Sequence, residues 1–218
     1  TSGYHFSIYL YCKRCTLLVL TFPDSNFQPP DRKLVGDMYS KCDIKVARQH
    51  FTATDRDYLA YKFGLTQKIC SKFYMFSLNR VWLNDKLYYM QTENNAETDP
   101  CIGWYLGDGE WKIQFYKRTE NRFRSNTSQI NGLRQLPDNG ELLIITKSMK
   151  DVMVLDSFGI NAIAPQSESY NFKPEFIEDL QSRFTQVFSL YDFDRTGVMF
   201  ASKLKKDHGV KPLFLTDG

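Results

Sequence analysis

The chain has 218 residues, of which 42% are hydrophobic and 15% aromatic, a composition that supports a folded core and argues against extensive disorder. No apolar run approaches the roughly 20 residues that span a bilayer. Five cysteines without a secretory signal favour a reduced cytosolic protein over a disulfide-bonded one. Since the chain begins at Thr1 rather than at a methionine, we expect a fragment of a longer protein.

The net charge of +3 is distributed unevenly along the chain. Residues 111–135 contain six basic residues and one acidic residue, whereas residues 136–218 contain nine basic and 12 acidic residues. A basic segment ahead of an acidic domain fits a protein that contacts a nucleic-acid backbone and positions metal beside it. The alternative is an uneven surface charge without a functional role.

The N-terminal region, residues 1–45, contains a CxxC pair, Cys12 and Cys15, at a turn between two predicted strands. Two thiolates at this spacing can hold one tetrahedral Zn²⁺, but two further ligands are required, and His5 and Cys42 are the nearby candidates. The pattern predicts part of a zinc ribbon. A redox CxxC is disfavoured because the βαβ pattern that accompanies such motifs is absent here.

Residues 46–136 are predicted to form a basic α+β segment. A helix that ends at Phe63, with Thr54 as its N-cap, precedes an antiparallel sheet over residues 73–116. Within this sheet the sequence Gly-Asp-Gly at 107–109 predicts a hairpin. Aromatic residues of the sheet could stack on bases, but core packing is the commoner role; they are Trp82, Trp104, Tyr105 and Trp111.

A basic stretch follows this sheet. It contains four cations around Phe123, namely Lys117, Arg118, Arg122 and Arg124. Cations interleaved with an aromatic side chain suit contact with phosphates of single-stranded nucleic acid. We therefore predict that these four residues bind nucleic acid.

Residues 137–218 alternate between apolar runs and amphipathic segments, which predicts a parallel sheet flanked by helices. The predicted strands cover residues 142–146, 161–164, 186–191 and 211–215, and the predicted helices cover residues 149–158, 172–184 and 196–208. Ligands of such sheets bind beyond the carboxyl ends of the strands. Asp192 and Asp194 follow the third strand and point the same way, which suits a hard cation such as Mg²⁺. The alternative is a solvated turn in which Asp194 caps the next helix.

Read in order, ELLIITKSMKDVMVL, FGINAIAPQSES and VFSLYDFDRTG resemble the Toprim domain of DnaG-type DNA primases from bacteria and bacteriophages. The resemblance covers residues 138–215. It implies an α/β fold with a C-terminal Toprim domain at residues 137–218, preceded by the α+β segment and the zinc-ribbon-like N-terminus.

The resemblance also implies roles for individual residues. It assigns Asp192 and Asp194 to the metal pair and Asp151 to the first motif. The family usually has a glutamate acid/base or metal ligand where this chain has Lys147, and we expect this lysine to contact phosphate instead. A third acid of the family would lie near the end of this chain, and we do not place it.

The function implied is that of a primase that synthesises short RNA primers on single-stranded DNA with Mg²⁺ or Mn²⁺. The expected partners are the DNA template, ribonucleoside triphosphates and a replicative helicase, in the cytoplasm or nucleoid of a phage-infected bacterium and away from membranes. Two alternatives stay open. One is a Toprim nuclease of the OLD or ribonuclease M5 kind, and the other is a non-catalytic nucleic-acid-binding protein, which Lys147 favours.

Overall fold

The computed structural model describes residues 8–12, 15–21, 42–167 and 170–216. Two six-stranded sheets form within these residues. The first elements are strands β1 (Ile8–Cys12) and β2 (Cys15–Thr21), which pair in an antiparallel hairpin. No helix within the described ranges is long and apolar enough to cross a bilayer.

The first sheet is antiparallel and lies in the middle of the chain. Its elements, with two helices, are β3 (Ile44–Gln49), α1 (Ala53–Phe63), α2 (Gln67–Lys72), β4 (Met75–Leu83), β5 (Lys86–Met90), β6 (Cys101–Gly107), β7 (Glu110–Phe115) and β8 (Phe123–Ser125). The strand order is β3-β4-β6-β7-β8, and β5 also pairs with β4. The predicted hairpin between β6 and β7 is confirmed: Gly107, Asp108 and Gly109 all have positive φ, as a tight turn requires.

The second sheet contains the predicted βα units. Its elements are β9 (Gly140–Thr146), α3 (Met149–Ser157), β10 (Asn161–Ile163), α4 (Pro174–Arg183), β11 (Phe184–Leu190), α5 (Arg195–His208) and β12 (Lys211–Thr216). Strands β12, β11, β9 and β10 are neighbours in that order and run parallel, as predicted. Strand β2 pairs antiparallel with β12, so the N-terminal hairpin extends this sheet. The predicted domain boundaries stay predictions.

Alternating residues of the parallel strands divide the core between the two faces of the sheet. Ile144 and Phe188 face α3 and the antiparallel sheet. Leu143, Ile145 and Phe214 face α4 and α5. Because side chains alternate along the strands, α3 packs on the face of the parallel sheet that meets the antiparallel sheet, whereas α4 and α5 pack on the opposite face.

Residues 44–125, which form the antiparallel sheet with α1 and α2, are called the antiparallel unit. The contact between α3 and this unit is buried and specific. Trp104, 1% exposed, donates its indole N–H to the sulfur of Met153 at 3.2 Å. At the rim of the contact, Lys72 pairs with Asp156 at 2.6 Å. Trp104 is thus a core residue, and Trp111, 9% exposed, is buried in the antiparallel unit as well.

The cysteines separate into two groups. Cys42, Cys70 and Cys101 are buried free thiols, and burial raises the pKa of Cys70 to about 11. They behave as small apolar residues, as expected for Cys70 and Cys101. The backbones of Cys12 and Cys15 face each other at the end of the β1–β2 hairpin, but their side chains lie outside the described part of the protein, as does the candidate ligand His5. The zinc site stays a prediction.

Helix α1 begins with a capping box. The Thr52 hydroxyl accepts from the Asp55 backbone N–H at 3.1 Å, and the Asp55 carboxylate accepts from the Thr52 backbone N–H at 2.9 Å. The predicted N-cap, Thr54, is wrong because Thr54 lies inside the first turn. The helix ends as predicted at Phe63, and Gly64 follows with φ 67°.

Asp55 is a charged residue in the core, with 1% exposure. Besides its capping bonds, it accepts hydrogen bonds from the hydroxyls of Ser77 and Tyr116, both at 2.7 Å. Burial and the neighbouring carboxylate raise the pKa of Tyr116, so its hydroxyl stays a donor. The Tyr116 ring stacks on Tyr58 with centroids 3.9 Å apart. One carboxylate thereby fixes α1, β4 and the end of β7 relative to one another.

Replacing Asp55 should be costly. We expect Asp55→Ala to lower the free energy of unfolding by about 3 kcal/mol, because two buried hydroxyls and the helix cap lose their acceptor. The measurement is urea unfolding followed by circular dichroism. Asp57→Ala, the same change at an exposed position of the same helix, is the control and should cost less than about 0.5 kcal/mol. Equal losses in both variants would contradict the role assigned to Asp55.

Candidate active site

The strand order of the parallel sheet reverses between β9 and β11. From β9 the chain moves to β10 on one side and then returns to β11 on the other, where Thr146 pairs with Leu190 at the carboxyl ends. A crevice at such a reversal is where open α/β sheets bind their ligands. Lys147 directly follows β9 and Asp192 lies two residues beyond β11, so topology places both at the ligand-binding edge.

Lys147 and Asp192 form an ion pair across this edge. The ammonium of Lys147 contacts Oδ1 of Asp192, and the two side chains are 29% and 36% exposed. The pair is thus reachable from solvent. Two of the four residues predicted for the site meet here, but the lysine is bound to a carboxylate of the protein.

Asp151 lies beside this pair at the start of α3. The Ser148 hydroxyl accepts from the Asp151 backbone N–H at 3.3 Å and donates to Asp151 Oδ2 at 2.7 Å. Burial raises the pKa of Asp151, while the Ser148 hydrogen bond and Lys147 oppose that rise and Asp192 adds to it. Asp151 therefore belongs to the same charged group and also orders the first turn of α3.

Asp194 caps helix α5, as the structural alternative predicted. Its Oδ1 accepts from the Gly197 backbone N–H at 2.9 Å. A side chain at residue 197 would overlap the Asp192 carbonyl oxygen, so only glycine fits there. The turn from β11 into α5 thus fixes both aspartates relative to the sheet.

The donor set determines which metal chemistry suits this edge. Within the described residues, no three acidic, histidine or cysteine side chains converge to form a cage. One oxygen of Asp192 contacts Lys147, and one of Asp194 accepts from the helix. Two carboxylates still suit Mg²⁺, which often binds one or two of them and completes its shell with water and phosphate oxygens. The residues fit a cation that is held jointly with phosphate.

A second charged group lies where α1, β7 and the β8 region meet the start of α3. We call it the cationic cluster, and it consists of Lys62, Lys112, Arg122 and Lys150. The Lys150 ammonium lies 3.1 Å from the Tyr58 hydroxyl and 4.8 Å from the centroid of the Phe63 ring. Burial, together with the other three cations, lowers the pKa of Lys150 to about 8.

The cationic cluster and the Lys147–Asp192 pair are connected through two adjacent residues of α3. Lys150 faces the cluster, and Asp151 faces the pair. The charged groups therefore form one surface that runs from the antiparallel unit to the switch point of the parallel sheet. No role was predicted from the sequence for Lys62, Lys112 or Lys150.

The predicted basic stretch divides in the structure. Arg122 joins the cationic cluster, and Lys117 is exposed. Arg124 donates to the Phe123 carbonyl at 2.7 Å and to Asn121 Oδ1 at 3.2 Å, so its guanidinium is partly engaged by its own turn.

Arg118 is bound within the protein. It donates from Nε and Nη2 to the two carboxylate oxygens of Asp99 at 2.7 and 2.5 Å, and its guanidinium carbon lies 3.7 Å from the centroid of the Phe115 ring. Such a bidentate pair stabilises the sheet. The geometry assigns Arg118 a structural contact, and its predicted role in nucleic-acid binding stays a prediction.

Comparisons with known proteins agree with this architecture. No family model and no curated protein matches the sequence. Among solved structures, the chain is similar to a DnaG primase catalytic domain bound to ssDNA, with TM-score 0.53 and 16% identity over 76% of this chain and 67% of that one. The Escherichia coli primase catalytic core gives 0.54 and 17% over 76% and 66%. The primase fragment of the bacteriophage T7 primase-helicase gives 0.50 and 11% over 95% and 90%.

These likenesses establish the fold. The chain has the α/β fold of DnaG-type primase catalytic cores, which confirms the predicted α/β class with its parallel sheet and flanking helices, whereas the Toprim domain and the zinc-ribbon-like N-terminus stay predictions. The chain spans about two thirds of the length of the DnaG-type structures that it matches, at 66% and 67%.

Lys150 gives a test of the cationic cluster. Its pKa is lowered from the ordinary value of 10.5 to about 8, so the unfolded chain binds more protons between these values and stability rises with pH across that window. We expect Lys150→Met to raise the free energy of unfolding at pH 7 by about 1–3 kcal/mol and to remove this rise.

The measurement is urea unfolding at pH 7 and pH 9.5. The exposed Lys68 supplies the matched control, Lys68→Met, which should leave both the stability and its pH dependence unchanged. A Lys150→Met protein with the wild-type pH profile would contradict the lowered pKa.

Proposed function

We propose that the chain is a catalytic core of a DNA primase that joins ribonucleotides into short primers on single-stranded DNA. The observation that carries the proposal is the continuous charged surface. It places a carboxylate–lysine site at the switch point of a parallel sheet and a cationic cluster beside it, on the fold of primase cores. A polymerising enzyme needs both, because it holds a nucleic-acid strand next to a triphosphate.

The electrostatics of the cationic cluster support a polyanionic ligand. Three cations, Lys62, Lys112 and Arg122, act on Lys150, and their repulsion helps burial to lower its pKa. Phosphates among these cations would offset that repulsion and restore the charge of Lys150. The DnaG domain of similar fold is bound to ssDNA, and we infer the same class of ligand for this surface.

The roles of individual residues follow from their positions. Lys62, Lys112 and Arg122 would contact backbone phosphates, and Lys117 extends the surface along the chain. Phe123, whose ring lies 5.7 Å from the Lys112 ammonium and 5.7 Å from the guanidinium of Arg122, would hold these two cations in place.

Asp192 and Asp194 would hold Mg²⁺ or Mn²⁺ together with phosphate oxygens, and the cation would supply neutralisation of the triphosphate charge. Asp194 would keep the carboxylate pair in register through its bond to the α5 N-terminus. Asp151 would hold Lys147 and the first turn of α3 at the edge. The expected Zn²⁺ site at Cys12 and Cys15, and a helicase partner, are also part of the proposal.

A non-catalytic nucleic-acid-binding protein is the second candidate. The observation that favours it is the Lys147–Asp192 ion pair, which satisfies a carboxylate of the metal pair from within the chain. Both candidates bind single-stranded nucleic acid, so only the chemistry separates them.

Binding is tested by fluorescence anisotropy of labelled single-stranded DNA at several salt concentrations. Lys112→Ala combined with Arg122→Ala should lower the slope of log affinity against log salt by about 1.4, since each lost phosphate contact on a single strand contributes about 0.7. The control is Lys86→Ala, an exposed lysine on β5 of the antiparallel sheet, which should leave the slope unchanged. An unchanged slope in the double variant would place the nucleic acid elsewhere.

Catalysis is tested by primer synthesis from ribonucleoside triphosphates on single-stranded DNA. Asp192→Asn and Asp194→Asn should each reduce the Mg²⁺-dependent product at least about a hundredfold, as expected when a metal carboxylate that stabilises the transition state is lost. Asparagine is also a good N-cap, so Asp194→Asn keeps the cap of α5 and should fold normally. If the wild-type chain binds DNA but makes no primer, the non-catalytic candidate replaces the primase. Cleavage of the DNA would instead indicate the nuclease.

A further inference from the structure

The ion pair at the switch point places a lysine, Lys147, next to Asp192, a carboxylate of the proposed metal pair. The Lys147 ammonium contacts Asp192 and also acts on Asp151, so one fixed cation lies beside two carboxylates. A protonated ammonium has no lone pair and cannot ligate a metal. It therefore competes for Asp192 with any divalent cation that comes to this edge.

We propose that Lys147 is the resident counter-ion of Asp192, and that a divalent cation binds Asp192 more tightly once an anion has drawn the ammonium away. This inference rests on the proposed function in one respect, namely that Asp192 belongs to the metal pair. It differs from a phosphate clamp, because it assigns Lys147 a partner in the ligand-free protein as well.

Three features of the structure allow the exchange. Lys147 directly follows strand β9 and precedes the cap of α3, so its backbone is fixed while its long side chain extends over the edge. Its side chain is 29% exposed, and that of Asp192 is 36% exposed, so neither ion is sealed from solvent. The cationic cluster beyond Asp151 would bring phosphate to the same surface.

The size of the competition follows from Coulomb's law. A single and a double positive charge roughly 5 Å apart repel enough, even at the dielectric constant of water, to weaken binding by about tenfold. Removal of the lysine charge should therefore tighten the binding of a divalent cation by at least this factor. An anion that pairs with Lys147 should act in the same direction, so metal and polyphosphate should bind with positive coupling.

The test measures Mn²⁺ binding to the whole chain by isothermal titration calorimetry, without nucleotide. We expect Lys147→Met to bind Mn²⁺ about tenfold or more tightly than the wild type. The matched control is Lys86→Met, which removes the same charge from β5 and should leave the affinity unchanged. Thermal unfolding of each variant verifies that it is folded.

A double-mutant cycle shows whether the effect passes through Asp192. In the Asp192→Asn background, Lys147→Met should tighten Mn²⁺ binding less than it does in the wild type, because the contested carboxylate is gone and only the repulsion between the two cations remains. Inorganic pyrophosphate, with its own association with Mn²⁺ subtracted, should tighten Mn²⁺ binding to the wild type and do so less in Lys147→Met. These two results together identify Lys147 as the exchangeable counter-ion.

Several outcomes would overturn the inference. One is an affinity that Lys147→Met leaves unchanged, and another is a gain of the same size in the Asp192→Asn background, which would show that the effect does not pass through Asp192. If Asp194→Asn abolishes Mn²⁺ binding but Lys147→Met leaves the Mn²⁺ affinity unchanged, the inference about Lys147 fails. The assignment of the metal pair in the proposed primase then still holds. If no variant binds Mn²⁺, both the inference and the metal assignment fail, whereas DNA binding is judged by its own assay.

Discussion

The buried carboxylate of Asp55 is the interaction on which the charged surface depends. It is 1% exposed and is satisfied by the α1 cap, by Ser77 and by Tyr116. Tyr116 stacks on Tyr58, whose hydroxyl lies within hydrogen-bond distance of Lys150. The buried carboxylate at the start of α1 thus sets the position of Lys150 on α3, because each contact in between is either hydrogen-bonded or closely stacked.

This arrangement holds groups together that would otherwise separate. The four cations of the cluster repel one another, and nothing in their own interactions favours their approach. Apolar packing between the sheets offsets this electrostatic repulsion. Trp104 contacts Met153 there, and the apolar side of α3 is buried. The proposed function and stability oppose each other here, because the half-buried Lys150 lowers the stability of the fold at neutral pH. A bound polyanion would restore part of that stability.

The sequence predicted the parallel sheet, the hairpin at 107–109 and the edge position of Asp192, because each follows from local periodicity, turn residues or the position of a strand end. It did not predict the cationic cluster, since Lys62, Lys112 and Lys150 lie on three separate elements. For the same reason it could not foresee that Arg118 pairs with Asp99, 19 residues away. The N-cap of α1 was misplaced because Thr52 and Thr54 are each followed three residues later by an aspartate, Asp55 and Asp57, so the sequence offers two equivalent capping boxes.

Gly197 is required by the fold and not by the chemistry of the two aspartates. Its requirement is steric, since any β-carbon would overlap the Asp192 carbonyl oxygen, whatever the carboxylates do. A descendant of this chain that had lost both carboxylates would still need the glycine to turn from β11 into α5. The glycine of an Asp-x-Asp-x-x-Gly pattern therefore reflects the backbone turn from a strand into a helix. The residue at the end of the neighbouring strand, here Lys147, reflects the chemistry of the site. Among chains with this turn, the residue at the end of β9 is therefore a better guide to activity than the glycine.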